Sequence, residues 1–284
     1  MTEAARVAVA ASRVRREEKW ILSALESAGV PCDHLIPGTL AVPGAEQRPP
    51  WAVVLNREIS LVRAGYLATS MEAAGVRVVN SAAATAICGD KWRTALALAA
   101  AGLPAPRTVL ATSVAAARTA TEDFGFPVVI KPVSSSWGRR VALVRDREAA
   151  EAVLDYCEAL PGPQSQVLCV QELIDKPGRD IRAVVIGGIV VGAMYRTSAG
   201  WRTNVALGAE ASRCPVDADL SKLALRAAAA TGAEIAGVDL VEDRSGGRYV
   251  LEVNDRAEFL GLTSATGVDV ALAIANYVKA VIGR

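Results

Sequence analysis

Three oxygen-bearing side chains in the C-terminal third, Asp239, Glu252 and Asn254, have the spacing of a cation site. They lie in two apolar β-type runs, 237–242 and 248–254, joined by Ser245-Gly246-Gly247, a pattern that reads as a hairpin. If the turn is centred between residues 245 and 246 without a bulge, Asp239 stands directly opposite Glu252. Asn254 then shares the face of Glu252. Hard oxygen donors on one side of a ribbon suit magnesium, which keeps waters and is completed by substrate phosphates. The same residues would also be ordinary on the wet face of a half-exposed sheet.

Two lysines and a loop extend the pattern. Lys131 ends the run Val128-Val129-Ile130, with Val129 and Val133 on its own face. A lysine there is expensive to bury unless it meets an anion. Lys91 opens a helix, where its charge opposes the macrodipole. Between strand-like runs 128–131 and 141–144 lies Ser134-Ser135-Ser136-Trp137-Gly138-Arg139-Arg140, whose small residues, hydroxyls, amides and arginines could meet a polyphosphate. A strand follows instead of a helix and GxxxxGK[ST] is absent, which excludes a P-loop; no dinucleotide fingerprint is present either. Exposed lysines and a plain hairpin tip would contain the same residues.

Elements on either side must position these groups. Apolar runs at 7–10, 51–55 and 76–79 alternate with helical patterns at 20–28, stopped by Gly29, and 61–74, stopped by Gly75. That alternation predicts a small parallel α/β lobe, with a loop-rich stretch around Pro37-Gly38 and Pro43-Gly44. A helix from Asp90 or Lys91 to Ala101 is punctuated by Gly102, Pro104 and Pro106. Residues 107–168 read as strand, helix, strand, loop, strand, helix. The remainder is strand-dominated: a hairpin across Gly187-Gly188, a helix over 218–230, the hairpin of Asp239 and Glu252, and a closing helix over 269–281. The expected division is 1–88, 89–170 and 171–284.

Composition narrows the chemistry. The 284 residues are 52% hydrophobic and 21% charged with a net charge of +1, so no global field recruits nucleic acid or an anionic membrane. The single histidine, His34, reads as a packing or surface residue. Five scattered cysteines (Cys32, Cys88, Cys157, Cys169, Cys214) without a CxxC pair suit free thiols in a reducing compartment, not zinc. No apolar run is long enough to span a bilayer, and the expectation is a soluble, cytoplasmic protein. Carboxylates, lysines, arginines and backbone dipoles remain to do the chemistry.

Their order along the chain resembles a known family. Cys88-Gly89-Asp90-Lys91-Trp92, Val-Val-Ile-Lys-Pro (128–132), the Ser-Ser-Trp-Gly-Arg loop, Val-Gln-Glu-Leu-Ile (170–174) and Lys-Pro-Gly-Arg-Asp-Ile-Arg (176–182) come first. Tyr195-Arg196, Thr203-Asn204, Asp239, Leu-Glu-Val-Asn (251–254) and Thr-Gly-Val-Asp (266–269) follow. Together they resemble the ATP-grasp superfamily, in its RimK-type branch, and within that the LysX-type ligases of lysine biosynthesis and their arginine-pathway sisters.

The resemblance implies α/β and α+β architecture: an N-terminal Rossmann-like lobe, a small central α+β lobe and a C-terminal antiparallel-sheet lobe. It implies that Lys91 and Lys131 hold ATP phosphates under a loop containing Ser135, Ser136, Trp137, Gly138 and Arg139. Gln171, Glu172, Leu173 and Ile174 would line the adenine, with Asp180 and Arg182 also in the nucleotide site. Mg2+ would sit on Asp239, Glu252 and Asn254. Arg196, Lys131 and Asn204 would be catalytic, beside the transferred phosphoryl group. Arg196, Arg202, Thr203, Asn204, Asp255, Arg256, Glu258 and Phe259 would face substrate. The reaction implied is phosphorylation of the side-chain carboxylate of a C-terminal Glu on a small acidic amino-group carrier protein, then attack by an amino acid's α-amino group. A homodimer or homotetramer is implied as well.

Phosphorylation converts an oxide leaving group into phosphate, and metal and cations disperse the charge. Arg179, Arg182, Arg196, Arg202 and Arg213 would suit an acidic tail, although paired charges on a solvated face would look alike. One stretch departs from the family pattern: Asp255-Arg256 stands where His-Thr is usual, and Leu260 where Lys is frequent. That departure has two readings: an amine substrate other than plain α-aminoadipate or glutamate, or neutral drift at a rim position. The alternatives are a RimK-type ligase acting on another protein tail or a small molecule, and a non-catalytic ATP-binding module.

Overall fold

The structure, a computed structural model, describes residues 6–41, 49–135, 139–203 and 208–283. Its first lobe contains β1 (Arg6–Ala10), α1 (Arg16–Ser27), β2 (Cys32–Leu35), β3 (Trp51–Asn56), α2 (Leu61–Ala73) and β4 (Arg77–Val79). The strands form a parallel sheet in the order β2-β1-β3-β4. Burial on both faces explains why β1 reads as an unbroken apolar run. Strand β2 escapes sequence reading because Cys-Asp-His-Leu has no apolar alternation; its pairing with β1 makes it a strand. Its His34 Nε2 lies 2.8 Å from the Ala11 carbonyl, and its Asp33 accepts from Trp51 Nε1 at 2.9 Å.

Two short helices, α3 (Ala82–Cys88) and α4 (Lys91–Ala100), lead to a second sheet. That sheet contains β5 (Thr108–Ala111), β6 (Val128–Pro132), β7 (Ala142–Val144) and β8 (Leu168–Glu172), antiparallel in the order β5-β8-β6-β7. Helices α5 (Val114–Phe124) and α6 (Arg147–Ala159) cover one face, meeting Val128, Ile130, Leu168 and Val170. The alternate residues Val129, Lys131 and Gln171 face the other way, into a cavity. Two details concern where the lobes divide. Strand β8 crosses residue 170 and belongs to this sheet. Helix α4 packs elsewhere, with Leu98 and the following Leu103 in the core beneath the third sheet.

The third sheet is antiparallel in the order β11-β10-β9-β12-β13: β9 (Arg179–Ile186), β10 (Ile189–Thr197), β11 (Glu210–Cys214), β12 (Ile235–Glu242) and β13 (Arg248–Asn254). The β9–β10 hairpin turns at Gly187 and Gly188, both at positive φ, as a tight two-residue turn requires. Ile181, Ala183, Val185, Val238, Leu240 and Val250 face α7 (Ala218–Thr231). The opposite face joins α8 (Leu260–Thr266), α9 (Val270–Ile282) and the first lobe in one core containing Val9, Ile21, Leu55, Val184, Ile235 and Ile274.

Asn80 stitches that junction. Its amide donates to the Ile235 and Asp255 carbonyls and its oxygen accepts from the Glu234 and Ile235 amides. Among the described residues no single helix is long and apolar enough to cross a membrane.

Candidate active site

A cavity of about 700 Å³ opens where the three lobes meet. On the central-lobe wall, Lys131 is 7% exposed and its Nζ donates to Gln171 Oε1 at 2.8 Å. Burial pushes its pKa down to about 8; the charge of Lys91 adds to the shift and Glu252 opposes it. Asp90 caps α4, accepting from the amides of Trp92 and Arg93 at 2.9 and 3.0 Å, and so fixes where Lys91 starts. The Lys91 amide donates to the Val133 carbonyl at 2.8 Å. Its Nζ donates to the Ser135 carbonyl at 3.0 Å and lies 3.6 Å from Glu252 Oε2. The Ser135 hydroxyl is buried without a partner among the described residues, as suits a group reserved for an anionic ligand.

Leu173, Ile174, Val129, Val141, Val241 and Leu251 give this end apolar walls that fit a flat base. Glu172 lines the wall but directs Oε1 to the Arg107 amide at 2.7 Å. Arg139 is exposed and not part of the cavity lining, whereas Ser136, Trp137, Gly138 and Asn204 lie outside the described residues.

Alternation on the third sheet sends Asp180, Arg182, Arg196 and Asp239 to the cavity face. Arg196 grips Asp180 with Nε and Nη2 at 2.7 and 2.8 Å, and its Nη2 lies 3.2 Å from Asp239 Oδ2. Arg182 grips Asp239 in the same two-toothed way at 2.7 and 2.8 Å. Burial would raise the Asp239 pKa, but Arg182 and Arg196 hold it well below the usual carboxylate range. Burial likewise opposes the charge of Arg196, and Asp239 and Asp180 more than offset it. The hydroxyl of Thr203 donates to Asp180 and accepts from Lys176 Nζ at 2.8 Å.

The hairpin reaches its pairing by a different route from the expected one. Asp239 does oppose Glu252, but Leu240 opposes Val250, so Leu251 is an extra residue bulging from β13. The bulge turns Val250 and Val253 toward α7 while Leu251, Glu252 and Asn254 line the cavity. Asn254 Nδ2 lies 3.4 Å from Asp239 Oδ2 and 3.3 Å from Glu252 Oε1.

At the end furnished by the first lobe, Asp255, Arg256 and Glu258 line the cavity. Arg256 Nη1 donates to Asp255 Oδ2 at 2.9 Å, so the pair that departs from the family pattern neutralises itself. Burial raises the Asp255 pKa, against the pull of Arg256. Glu258 accepts from Arg15 Nη1 at 2.9 Å. Arg202 is exposed at the rim near the Trp201 ring. Phe259, expected to face substrate, is 0% exposed: a core residue that is not part of the cavity lining. Sequence reading also missed Arg15, Arg57, Lys176 and Trp201, all on the wall.

Residues 88–278 match the RimK-like ATP-grasp domain, and residues 7–87 the LysX preATP-grasp domain. The chain belongs to the RimK-like ATP-grasp family. It is 37% identical to the glutamate–LysW ligase ArgX of Sulfolobus acidocaldarius over 276 residues, covering 96% of this chain and 98% of that one. The α-aminoadipate–LysW ligase LysX of the same organism is 34% identical over 80% of this chain and 83% of its own. Among solved structures, a RimK-domain ATP-grasp protein from Sphaerobacter thermophilus superimposes with a TM-score of 0.82 at 30% identity, over 96% of this chain and 99% of that one.

As an ATP-grasp ligase, the protein is an ATP-dependent enzyme that forms a carbon–nitrogen bond, and such ligases typically use a divalent metal with the nucleotide. Its residue types fit a hard cation: the Asp239 and Glu252 carboxylates flank the Asn254 side chain, whose amide nitrogen meets both and whose oxygen would be the third donor. Two guanidiniums already neutralise Asp239. Glu252, 30% exposed, is the carboxylate with charge to offer.

Proposed function

We propose that this enzyme phosphorylates the side-chain carboxylate of a C-terminal Glu on a small acidic carrier protein of the LysW kind and joins it to the α-amino group of an amino acid. The observation that carries this reading is a single cavity in which Lys91, Lys131, Arg196 and the Asp239–Glu252–Asn254 face converge. The ligases named for LysW, similar over most of the chain, support the choice of carrier.

In this reading Lys91, Lys131 and the Ser135 hydroxyl hold ATP phosphates, and Gln171 keeps Lys131 aimed. The apolar wall of Leu173 and Ile174 receives adenine. Asp239, Glu252 and Asn254 hold Mg2+, which when bound neutralises phosphate charge and orients the transferred group. The carboxylate oxygen attacks the γ-phosphorus, ADP leaves, and Arg196 stabilises charge on the transferred phosphoryl group. Asp180 and Asp239 fix the Arg196 guanidinium beforehand, so little reorganisation is needed as charge develops. The amine then attacks the acyl carbon, loses a proton, and phosphate departs with both electrons of its C–O bond.

The test offers MgATP, a synthetic acidic peptide ending in Glu and a panel of amino acids. ADP release should require both peptide and one amine, and the peptide should gain the amino acid's mass less water. ADP release indifferent to the peptide would count against the carrier.

A further inference from the structure

The strand order β2-β1-β3-β4 places a topological switch between β1 and β3, because the chain leaves β1 toward one edge of the sheet and β3 toward the other. Open parallel sheets bind ligands in the crevice outside the carboxyl ends of such strands. Two arginines occupy that crevice and line the cavity: Arg15, just before α1, and Arg57, immediately after β3. Arg57 is 2% exposed and rigidly held. Its amide donates to the Ala10 carbonyl at 2.8 Å, Nε to Glu18 Oε1 at 3.1 Å and Nη1 to the Ala257 carbonyl at 2.9 Å. The guanidinium carbon lies 5.9 Å from the Phe259 ring centre.

Its Nη2, although 3.1 Å from Glu18 Oε1, is out of line for a hydrogen bond and has no hydrogen-bond partner among the described residues. Of the neighbouring carboxylates, Glu17 Oε2 lies 3.8 Å from the same Nη2, an ion pair too long for a hydrogen bond. Glu18 accepts from the backbone amide, Nε and Nη2 of Arg15, and Glu17 accepts from the amides of Phe259 and Leu260. A buried guanidinium N–H without an aligned acceptor is costly, and its natural complement is a carboxylate oxygen.

Building on the ligase reading above, we propose that Arg57 binds the α-carboxylate of the amino-acid substrate through Nη2, at the switch point of the first lobe, with Glu18 as the residue that positions it. The α-carboxylate is common to every amino acid and sits one carbon from the nucleophilic nitrogen. Anchoring it on the first-lobe wall leaves the amine to face the acyl phosphate on the opposite walls. Side-chain identity then falls to the Asp255–Arg256 and Arg15–Glu258 pairs, which line the same end.

The test compares nucleophiles that differ only in this group: the amino acid of the panel that supports ligation with its own α-carboxamide, as L-glutamate with L-isoglutamine or L-lysine with L-lysinamide. Hydroxylamine, which has no carboxylate, traps the activated acid as a hydroxamate. The wild-type enzyme should prefer the acid of the productive pair over its α-carboxamide by about 10- to 100-fold in kcat/KM, the range of a charge-assisted hydrogen bond. In Arg57→Met that preference should collapse, and the loss with the amino acid should exceed the loss with hydroxylamine by at least about tenfold. A structural role would depress both nucleophiles together. The wild-type comparison stands even if Arg57→Met does not fold.

Equal use of acid and amide by the wild-type enzyme, or an unchanged preference in Arg57→Met, would overturn the assignment. So would a dependence that moves to the α-carboxylate of the peptide's own terminal Glu when that group is amidated. Absence of any hydroxamate with the wild-type enzyme would instead defeat the ligase reading, and this inference with it.

Discussion

The free enzyme should take up a proton when it binds nucleotide above neutral pH, and Lys131 should be the group that takes it. Burial lowers this lysine from 10.5 to about 8. The unfolded chain therefore holds the proton more tightly than the folded one. Below pH 8 both forms are protonated and the folded state carries the whole penalty of the buried charge, roughly 3 kcal/mol from a shift of that size. As pH rises from 8 towards 10.5 the folded lysine is neutral while the unfolded one is still charged, and the penalty lifts.

ATP phosphates beside Lys131 favour its ammonium form. At pH 8 binding should draw in about half a proton, and between pH 7 and pH 9 affinity should weaken about tenfold. Calorimetry with a magnesium complex of a non-hydrolysable ATP analogue, in two buffers of different protonation enthalpy, reads the uptake directly. Lys131→Met should bind weakly and take up no proton at pH 8. Zero uptake by the wild-type enzyme, or the same uptake by the variant, would refute the reasoning.

Three further outcomes are expected. Glu252→Ala should lower turnover by roughly 10³-fold or more, as loss of a metal-holding carboxylate does. Its melting temperature should barely move, because among the described residues this partly exposed side chain makes a 3.6 Å pair with Lys91 and a contact with Asn254. Phe259→Ala should cost about 3–5 kcal/mol in denaturant titrations, the cavity penalty of a core aromatic. A raised KM for the amine with unchanged stability would restore Phe259 to the substrate site. Asn80→Leu should cost roughly 3 kcal/mol or more in the same titrations, since it strands the Glu234 and Ile235 amides at the junction of two lobes. A loss below about 1 kcal/mol would contradict that role.

Sequence patterning exposed the parts of this protein that depend on near neighbours. Period-two alternation placed Lys131 on the opposite face from Ile130, and the β12–β13 hairpin brought Asp239, Glu252 and Asn254 together from a few residues of turn. Even there the pairing emerged by compensation. The turn sits half a residue earlier than expected and the Leu251 bulge restores the register, a feature that no residue type in the run announces.

What stayed hidden rests on distant partners. The charges from Arg13 to Glu18 look like a solvated helix start. Glu17 in fact meets amides at 259 and 260, and Glu18 meets Arg57. Phe259 sits beside substrate-facing residues in sequence, yet the chain turns it into the core under Arg57. Helix α4 follows the first lobe in sequence and packs under the third sheet, because its apolar stripe fits Ala224 and Ile181 there.

The account turns on a carboxylate activated by phosphorylation inside the cavity of Lys91, Lys131 and Arg196. The most direct test labels the terminal Glu side chain of the peptide with ¹⁸O and analyses the phosphate released during ligation. A single labelled oxygen should pass from the carboxylate to each phosphate formed, with ADP as the other product. Unlabelled phosphate, or AMP and pyrophosphate as products, would contradict it.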